Sequence, residues 1–236
     1  KKSKKFIYKM KTLYYLKKVY HKNKNNVAIK FENKKITYEQ FYLEVLNVRN
    51  FLKKKKIKRI CIFEGKNDDH YYYVYMFASL FAGVTYIPIS SNTPILRIKD
   101  ILRISKPDLF IANKKYKFLK KLKVGFLNPN KKIKIKAEKK FVISNSKEDA
   151  YIIFTSGSTG KPKGVRISRS SLDNYVKWLR NNIFKDKIIR CSQHPRIGFD
   201  LSVADIFGTL CSGGTLFPIK KTLDRMFLKK FIIKNN

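Results

Sequence analysis

The sequence predicts an α/β fold with mostly parallel sheets. Short apolar segments typical of buried strands alternate with longer segments that have helical periodicity, and this alternation favours parallel strand pairing. The 236 residues are 44% hydrophobic and 14% aromatic, which is enough to build a core and argues against a disordered basic tail. The length suits one domain or two small ones, and no internal repeat divides the chain.

The first predicted elements are a hairpin and a helix. Residues 27–31 and 35–36 are apolar strands on either side of a short polar turn. Thr37 and Gln40 have the spacing of a capping box, and apolar residues follow at helical intervals until a run of lysines ends the helix. Five further elements are predicted next: strand 59–63, helix 67–82 ending at Gly83, strand 86–89, a helix from Pro94 to about residue 105, and strand 109–112.

The second half continues the alternation after a weakly patterned region. Residues 113–140 are rich in lysine, and we expect a peripheral helix and short strands there. Residues 149–154 form an apolar strand that leads directly into a glycine-rich turn. The remaining predicted elements are strand 165–167, helix 170–182, strand 188–192, helix 201–210 and strand 215–218.

The charge of the chain is strongly positive, with 54 basic against 16 acidic residues and a formal net charge of +38. Only 10 of the basic residues are Arg, and Lys is accompanied by many Ile, Asn, Phe and Tyr. This joint excess is what an AT-rich genome imposes on codons, so we favour mutational bias over nucleic-acid binding as its cause. The lysine runs are interpreted as solvated faces and loops.

Cysteines, histidines and aromatic residues indicate no metal site, disulfide or membrane span. The three cysteines are far apart and lack CxxC spacing, which favours buried free thiols in a reducing compartment. The basic start has no uninterrupted apolar stretch for a signal peptide, and the aromatic run 71–81 is too short to cross a bilayer. We expect a cytoplasmic protein in which that run packs as a helix with one exposed face. His194 is interpreted as an ordinary solvated loop histidine.

One segment, residues 155–164, carries the chemistry. It follows a buried strand and combines three glycines, four hydroxyl side chains and two lysines. Glycines allow close approach of backbone to ligand, successive N–H groups form an anion-binding concavity, and lysines supply charge. Neither a Walker A loop nor a dinucleotide-binding fingerprint fits the spacing. The predicted phosphate-binding residues are Thr155, Ser156, Gly157, Ser158, Thr159, Gly160, Lys161, Lys163 and Gly164.

The extended segment 151–165, Tyr-Ile-Ile-Phe-Thr-Ser-Gly-Ser-Thr-Gly-Lys-Pro-Lys-Gly-Val, resembles the phosphate-loop signature of the AMP-forming adenylating enzymes. That superfamily includes acyl-CoA synthetases, luciferases and amino-acid adenylation domains. Three weaker matches occur in the family's order: residues 36–41 with the first core motif, residues 80–89 with Pro94 and Arg97 for the second, and residues 199–202 with 213–216 for the fourth. The resemblance implies ATP as a substrate.

The Phe-Asp-Leu-Ser form at residues 199–202 narrows the resemblance to amino-acid-activating members. In those enzymes the aspartate at this position pairs with the α-amino group of the substrate, which gives Asp200 that role. Asp200 is also placed to cap the following helix, and the two roles are compatible. The longer stretch 200–207 is most similar to D-alanine–carrier protein ligases, followed by peptide-synthetase adenylation domains. D-alanine or another amino acid would then pass to a phosphopantetheine thiol on a carrier protein.

Departures from the family pattern limit what the resemblance implies. Ser90-Ser91 replaces the usual Asp-Pro of the second motif, a change expected to affect loop packing. The family's adenine-stacking motif, its ribose-binding aspartate and its C-terminal lid have no match, so Mg²⁺ ligands are expected outside this chain. We therefore predict a basic N-terminal segment, 1–26, and a partial adenylation domain, 27–236, whose C-terminal half and lid are absent.

Three functions remain open at the level of the sequence. The first is the front part of an amino-acid-activating ligase, weakly active or inactive without a missing C-terminal half. The second is a basic module that binds nucleic acid or an anionic surface through salt-sensitive phosphate contacts, although specific nucleic-acid binding is not expected. The third is a non-functional product of a truncated gene.

Overall fold

Two mostly parallel sheets form the framework of the protein. The computed structural model describes residues 10–65, 69–130, 147–156, 160–185 and 187–235. The strands are β1 (Val27–Lys30), β2 (Lys35–Thr37), β3 (Arg59–Phe63), β4 (Thr85–Ile89), β5 (Leu109–Ile111), β6 (Gly125–Leu127), β7 (Asp149–Ser156), β8 (Pro162–Ser168), β9 (Arg190–Gln193) and β10 (Thr215–Pro218). One sheet has the order β6-β5-β3-β4-β7-β8 and the other β2-β1-β10-β9. Pairing is parallel except for β7 with β8 and β1 with β2, which confirms the predicted fold class.

Helices flank both sheets. They are α1 (Lys11–Asn23), α2 (Tyr38–Lys54), α3 (Tyr71–Ala82), α4 (Ile95–Ser105), α5 (Phe118–Lys121), α6 (Arg169–Trp178), α7 (Leu201–Val203), α8 (Thr209–Ser212), α9 (Thr222–Met226) and α10 (Leu228–Lys234). A π-helical segment, Leu179–Phe184, continues α6, and a second one, Ala204–Gly208, joins α7 to α8. Within the described residues, no helix is both long enough and apolar enough to cross a bilayer.

The predicted hairpin and the first predicted helix are confirmed together with the cap that joins them. Gln40 N donates to Thr37 Oγ1 at 3.2 Å, and Thr37 N donates to Gln40 Oε1 at 2.9 Å. These reciprocal bonds are the capping box expected from the spacing, and they satisfy two N–H groups that a helix start leaves free. The cap therefore fixes where β2 ends and α2 begins.

Helix α3 lies at the centre of the hydrophobic core. The sequence predicted a helix over 67–82 with one exposed face, but α3 begins at Tyr71 and every residue from Tyr71 to Phe81 is buried. The Phe77 ring lies 5.4 Å from that of Phe41 on α2 and 4.7 Å from that of Phe207. Because α3 has packing partners on several sides, its aromatic run is core on all faces and the predicted exposed face is wrong. Gly83, at φ 74°, ends the helix as predicted.

Helix α1 is an element that the sequence patterns missed. Its apolar side packs into the same core as α2 and α3, through Leu13, Leu16 and other buried residues. Its amino end is capped from a distance, because the Asp173 carboxylate of α6 accepts from Thr12 N at 2.9 Å and from Thr12 Oγ1 at 2.6 Å. Half of the segment predicted as residues 1–26 is thus a docked helix, while residues 1–9 lie outside the described part of the chain.

The other predicted elements are found with shifted ends. Strand β8 spans Pro162–Ser168, longer than the predicted 165–167, because it pairs along nearly all of β7. The lysine-rich region contains α5 and β6, and the predictions for 131–140 lie outside the described residues. Helices α9 and α10 were not predicted, since neither buries a residue and so neither leaves a periodic apolar pattern.

Candidate adenylate site

The described parts of the glycine-rich segment lie at the end of β7 and the start of β8. The two strands pair from Asp149 opposite Ser168 to Ser156 opposite Pro162. Gly157, Ser158 and Thr159 lie outside the described residues. Thr155 and Ser156, at the end of β7, are exposed. The strand pairing therefore holds both ends of the predicted phosphate loop at a defined place on the sheet edge.

Glycine is required at the two described glycine positions of the loop for different physical reasons. Gly160 has a φ of 73°, and a Cβ placed there would meet no atom within 4 Å, so the backbone angle rather than crowding requires glycine. A Cβ on Gly164 would lie 2.9 Å from Ile152 Cγ2 and 3.1 Å from Phe154 Cζ, so there crowding requires glycine. Lys161 and Lys163 are exposed, which leaves their ammonium groups accessible to an anion.

A cavity of about 560 Å³ opens beside this hairpin. Thr155, Ser156 and Val165 of the hairpin line one part of it, Arg97 of α4 another, and Phe199 with Asp200 a third. The sequence did not select Arg97 as a site residue, although its place in the second motif was the available signal. The cavity brings the end of the predicted phosphate loop and Asp200 together, although the loop joins two strands of the six-stranded sheet and Asp200 follows β9 of the four-stranded sheet.

Asp200 lies at the rim of the cavity and is exposed. Its Oδ1 accepts from Leu201 N at 2.8 Å, which is a local cap of the short helix α7. Burial raises the pKa of Tyr151 to about 12, and the negative charge of Asp200 contributes to the rise. Burial and the same charge raise the pKa of Tyr175. Asp200 is therefore close enough to both tyrosines for its charge to raise their pKa values.

Residues outside the cavity agree with the sequence predictions, except that Cys191 is less buried than expected. His194 is exposed, does not line the cavity, and has its Nε2 3.3 Å from Arg225 O. Cys61 and Cys211 are buried free thiols, whereas Cys191 is half-buried. Burial raises the pKa of Cys61 to about 12 and that of Cys191 to about 11, so neither thiol is an activated nucleophile.

The described residues fit the phosphates of ATP better than they fit a metal ion. An open backbone at Gly160, exposed hydroxyls at Thr155 and Ser156, and two accessible lysines are the donors that phosphates require. Among the described residues, no group of three His, Cys, Asp or Glu side chains is arranged to hold a metal ion.

Comparison with known proteins assigns the family. Residues 16–236 match the AMP-binding enzyme family. The chain is 32% identical to D-alanine–D-alanyl carrier protein ligase of Listeria monocytogenes over 61% of this chain and 30% of the relative. It is 36% identical to the corresponding ligase of Lactiplantibacillus plantarum over 64% of this chain and 30% of the relative. It is 31% identical to a mycosubtilin synthase polypeptide of Bacillus subtilis over 97% of this chain and 9% of the relative.

Solved structures show the same fold. The N-terminal subdomain of Klebsiella oxytoca NpsA in complex with 3-hydroxyanthranilyl-AMSN superposes with a TM-score of 0.79 at 21% identity, covering 95% of this chain and 57% of that one. The Vibrio cholerae adenylation domain AlmE in complex with glycyl-adenosine-5'-phosphate has a TM-score of 0.76 at 23% identity, covering 95% and 48%. The family match covers nearly the whole chain and agrees with the fold. The chain therefore belongs to the AMP-binding enzyme family.

Proposed function

We propose that this chain is the N-terminal part of an ATP-dependent ligase that activates an amino acid, D-alanine or another, as an aminoacyl-AMP. The observation that carries the proposal is that one cavity is lined both by the end of the phosphate loop and by Asp200. The relatives support the same class, although the matched segments amount to 30% of the length of the D-alanine ligases. The proposed location is the cytoplasm.

The proposed reaction joins a carboxylate to ATP. The substrate carboxylate attacks the α-phosphorus, an aminoacyl-AMP forms, and pyrophosphate leaves with the electrons of the broken P–O bond. Residues 155–164 bind and orient the β- and γ-phosphates, while the Asp200 carboxylate binds the substrate ammonium. Both roles are positioning and charge stabilisation, and these two effects provide most of the catalysis by a protein in this kind of reaction.

Two further components complete the proposal. A phosphopantetheinylated carrier protein accepts the aminoacyl group, and Mg²⁺ accompanies ATP, held by residues outside the described part of this chain. Since the matched segments are about a third of the D-alanine ligases, we expect the isolated chain to catalyse adenylation weakly or not at all unless a C-terminal half is supplied. Rapid amino-acid-dependent exchange of pyrophosphate into ATP by the isolated chain would contradict this expectation.

Ligand discrimination tests the amino-group assignment without requiring catalysis. Equilibrium dialysis of the chain with D-alanine and with propionate, which lacks the ammonium, should give tighter binding of D-alanine. Asp200→Asn should weaken D-alanine binding about tenfold, because a charge-assisted pair becomes a neutral one, and leave propionate unaffected. Asp100→Asn, on an exposed part of α4 whose carboxylate pairs with Arg103, is the matched control and should change neither. Equal loss with both variants would exclude Asp200 as the ammonium site.

The alternative function, a basic module that binds nucleic acid or an anionic surface, is suggested by the net charge of +38 but is not favoured by the family match. Such binding is sequence-blind and falls steeply with salt, because it depends on released counterions. A dedicated binder should keep its affinity for duplex DNA when residues of the hairpin loop are changed. A third possibility, a non-functional gene product, predicts no preference for D-alanine over propionate.

A further inference from the structure

The segment that carries Phe199 and Asp200 is tied to the opposite sheet by a polar cluster. This cluster consists of Glu64 after β3, Ser90 and Ser91 after β4, and Arg196 with Gly198 after β9. Strands β3 and β4 belong to the six-stranded sheet, whereas β9 is the edge of the four-stranded sheet. The cluster therefore crosses from one sheet to the other beside the cavity.

The contacts of the two serines hold the segment at two points. Ser90 Oγ accepts from Gly198 N at 3.1 Å, and Arg196 Nη1 donates to Ser91 Oγ at 2.9 Å. A Cβ on Gly198 would lie 2.7 Å from Ser90 Oγ, so this close approach requires glycine. The serines that replace the Asp-Pro of the family's second motif thus bind the backbone and the side chain of the segment two to four residues before Asp200.

Glu64 is the buried carboxylate of the cluster. It is 1% exposed, and its Oε2 accepts from Ser91 N at 3.2 Å and lies 3.7 Å from Arg196 Nη1. Its own N–H donates to Ile89 O at 2.8 Å, which joins it to the end of β4. A buried carboxylate is unfavourable unless it is paired and hydrogen-bonded. Separating Ser91 or Arg196 from Glu64 would therefore cost free energy, and this cost keeps the three residues together.

Beyond the cluster the chain turns tightly toward Asp200. Phe199 N donates to Arg196 O at 3.0 Å, and Ser202 Oγ donates to Phe199 O at 2.6 Å. Because these short-range bonds connect Arg196 to the start of α7, the position of Arg196 sets the position of Asp200.

We propose that this cluster, chiefly through Glu64, Ser91 and Arg196, positions Asp200 and fixes its carboxylate at the rim of the cavity for recognition of the substrate ammonium. The inference rests on the proposed function and deepens it, since it explains how an exposed carboxylate discriminates between ligands. Asp200 touches the ligand, and the cluster residues act through it.

The proposal is tested with two variants that remove hydrogen bonds of the cluster and one variant that keeps them. Arg196→Met and Ser91→Ala remove bonds of the cluster, whereas Ser91→Thr keeps the hydroxyl. Arg166→Met is the control, because Arg166 is exposed and pairs with Asp149 away from the cluster. Amide hydrogen exchange of residues 197–203 and the affinities for D-alanine and propionate are measured for each chain. Circular dichroism and urea unfolding establish that each variant is folded.

The proposal predicts selective effects. Arg196→Met and Ser91→Ala should speed exchange in residues 197–203 and weaken D-alanine binding about tenfold, because the Asp200 carboxylate is no longer held in place to pair with the ammonium, with propionate unchanged. Ser91→Thr should restore both measurements, and Arg166→Met should change neither.

Two results would overturn the proposal. One is unchanged exchange in residues 197–203 of the folded variants, which would mean that the cluster does not hold the segment. The other is faster exchange with an unchanged preference for D-alanine, which would make the cluster structural only. If the wild-type chain itself fails to prefer D-alanine over propionate, the proposed function fails, and the exchange data still report on the cluster.

Discussion

At the scale of single residues, Lys163 separates specific phosphate binding from the general attraction of a basic surface. It follows the tip of the hairpin and is exposed, as are most other lysines, so its charge alone does not distinguish it. Its position opposite Thr155 at the start of β8 does, because it places the lysine at the predicted phosphate loop.

Lys163→Ala should weaken tripolyphosphate binding about tenfold, since an ammonium–phosphate contact is lost from a site with several other donors. Lys53→Ala, at the exposed end of α2, changes the net charge equally and should have a much smaller effect. Isothermal titration at about 150 mM salt, where distant charges are screened, measures both. Equal losses would indicate binding to the basic surface rather than to the hairpin loop.

Asp205, one turn beyond Asp200, gives a pH-dependent contribution to stability. Burial raises its pKa to about 6, against hydrogen bonding from His194 and Cys191 that lowers it. The folded chain therefore binds this proton more tightly than the unfolded chain, in which an aspartate titrates near about 3.9. Its stabilising contribution is fully present below about pH 4 and is lost as the pH rises through 6.

Asp205→Asn removes this titration and keeps a carbonyl acceptor. The free energy of unfolding of the variant relative to that of wild type should increase between about pH 4 and about pH 7, because only wild type loses stability over this range; urea unfolding at both values measures it. Asp100→Asn should show no such gain. A constant difference between wild type and Asp205→Asn across this range would contradict the raised pKa.

At the scale of elements, the hairpin of β7 and β8 depends on Gly164 for its packing. Gly164→Ala should lower the free energy of unfolding by about 1–3 kcal/mol, because its Cβ would overlap Ile152 and Phe154. Val165→Ala, the neighbouring and half-exposed position, should cost less. Urea unfolding compares the two, and a smaller cost for Gly164→Ala than for Val165→Ala would show that the hairpin relaxes to accept the methyl group.

Local signals explain which elements the sequence predicts well. The capping box at Thr37, the glycine at 83 and the apolar strand before the loop are each encoded within a few residues, and each is confirmed. Long-range contacts explain the failures. The cap of α1 comes from Asp173, 161 residues after Thr12, and the burial of α3 on all faces depends on neighbours from α2 and from the segment containing Phe207.

The candidate site was also predicted in part from local motifs, while its long-range contacts were missed. The loop residues and Asp200 were found through motifs with fixed spacing, and their roles remain predictions. The sequence could not place Asp200 at an exposed rim, nor reveal that Ser90 and Ser91 bind the segment before it, because those contacts join residues 108 and 105 positions apart. Only the folded arrangement of the two sheets brings them together.

At the scale of the whole molecule, the surface combines a high positive charge with exposed apolar side chains near the cavity. The net charge of +38 is distributed over many exposed lysines and produces a salt-sensitive background in any binding experiment with an anion. Apolar side chains are also exposed near the cavity, including Phe199 and Leu201.

The central claim is that an amino acid and the phosphates of ATP occupy one cavity. Methyl NMR of the chain labelled at isoleucine tests it most directly, at about 150 mM salt to suppress distant charge effects. Ile153 and Ile167 line the cavity, whereas Ile183 and Ile232 are exposed elsewhere. The account predicts that D-alanine and ATP each shift the signals of Ile153 and Ile167 and leave those of Ile183 and Ile232 unchanged. Shifts confined to the outer isoleucines, or ATP shifts without any from D-alanine, would contradict it.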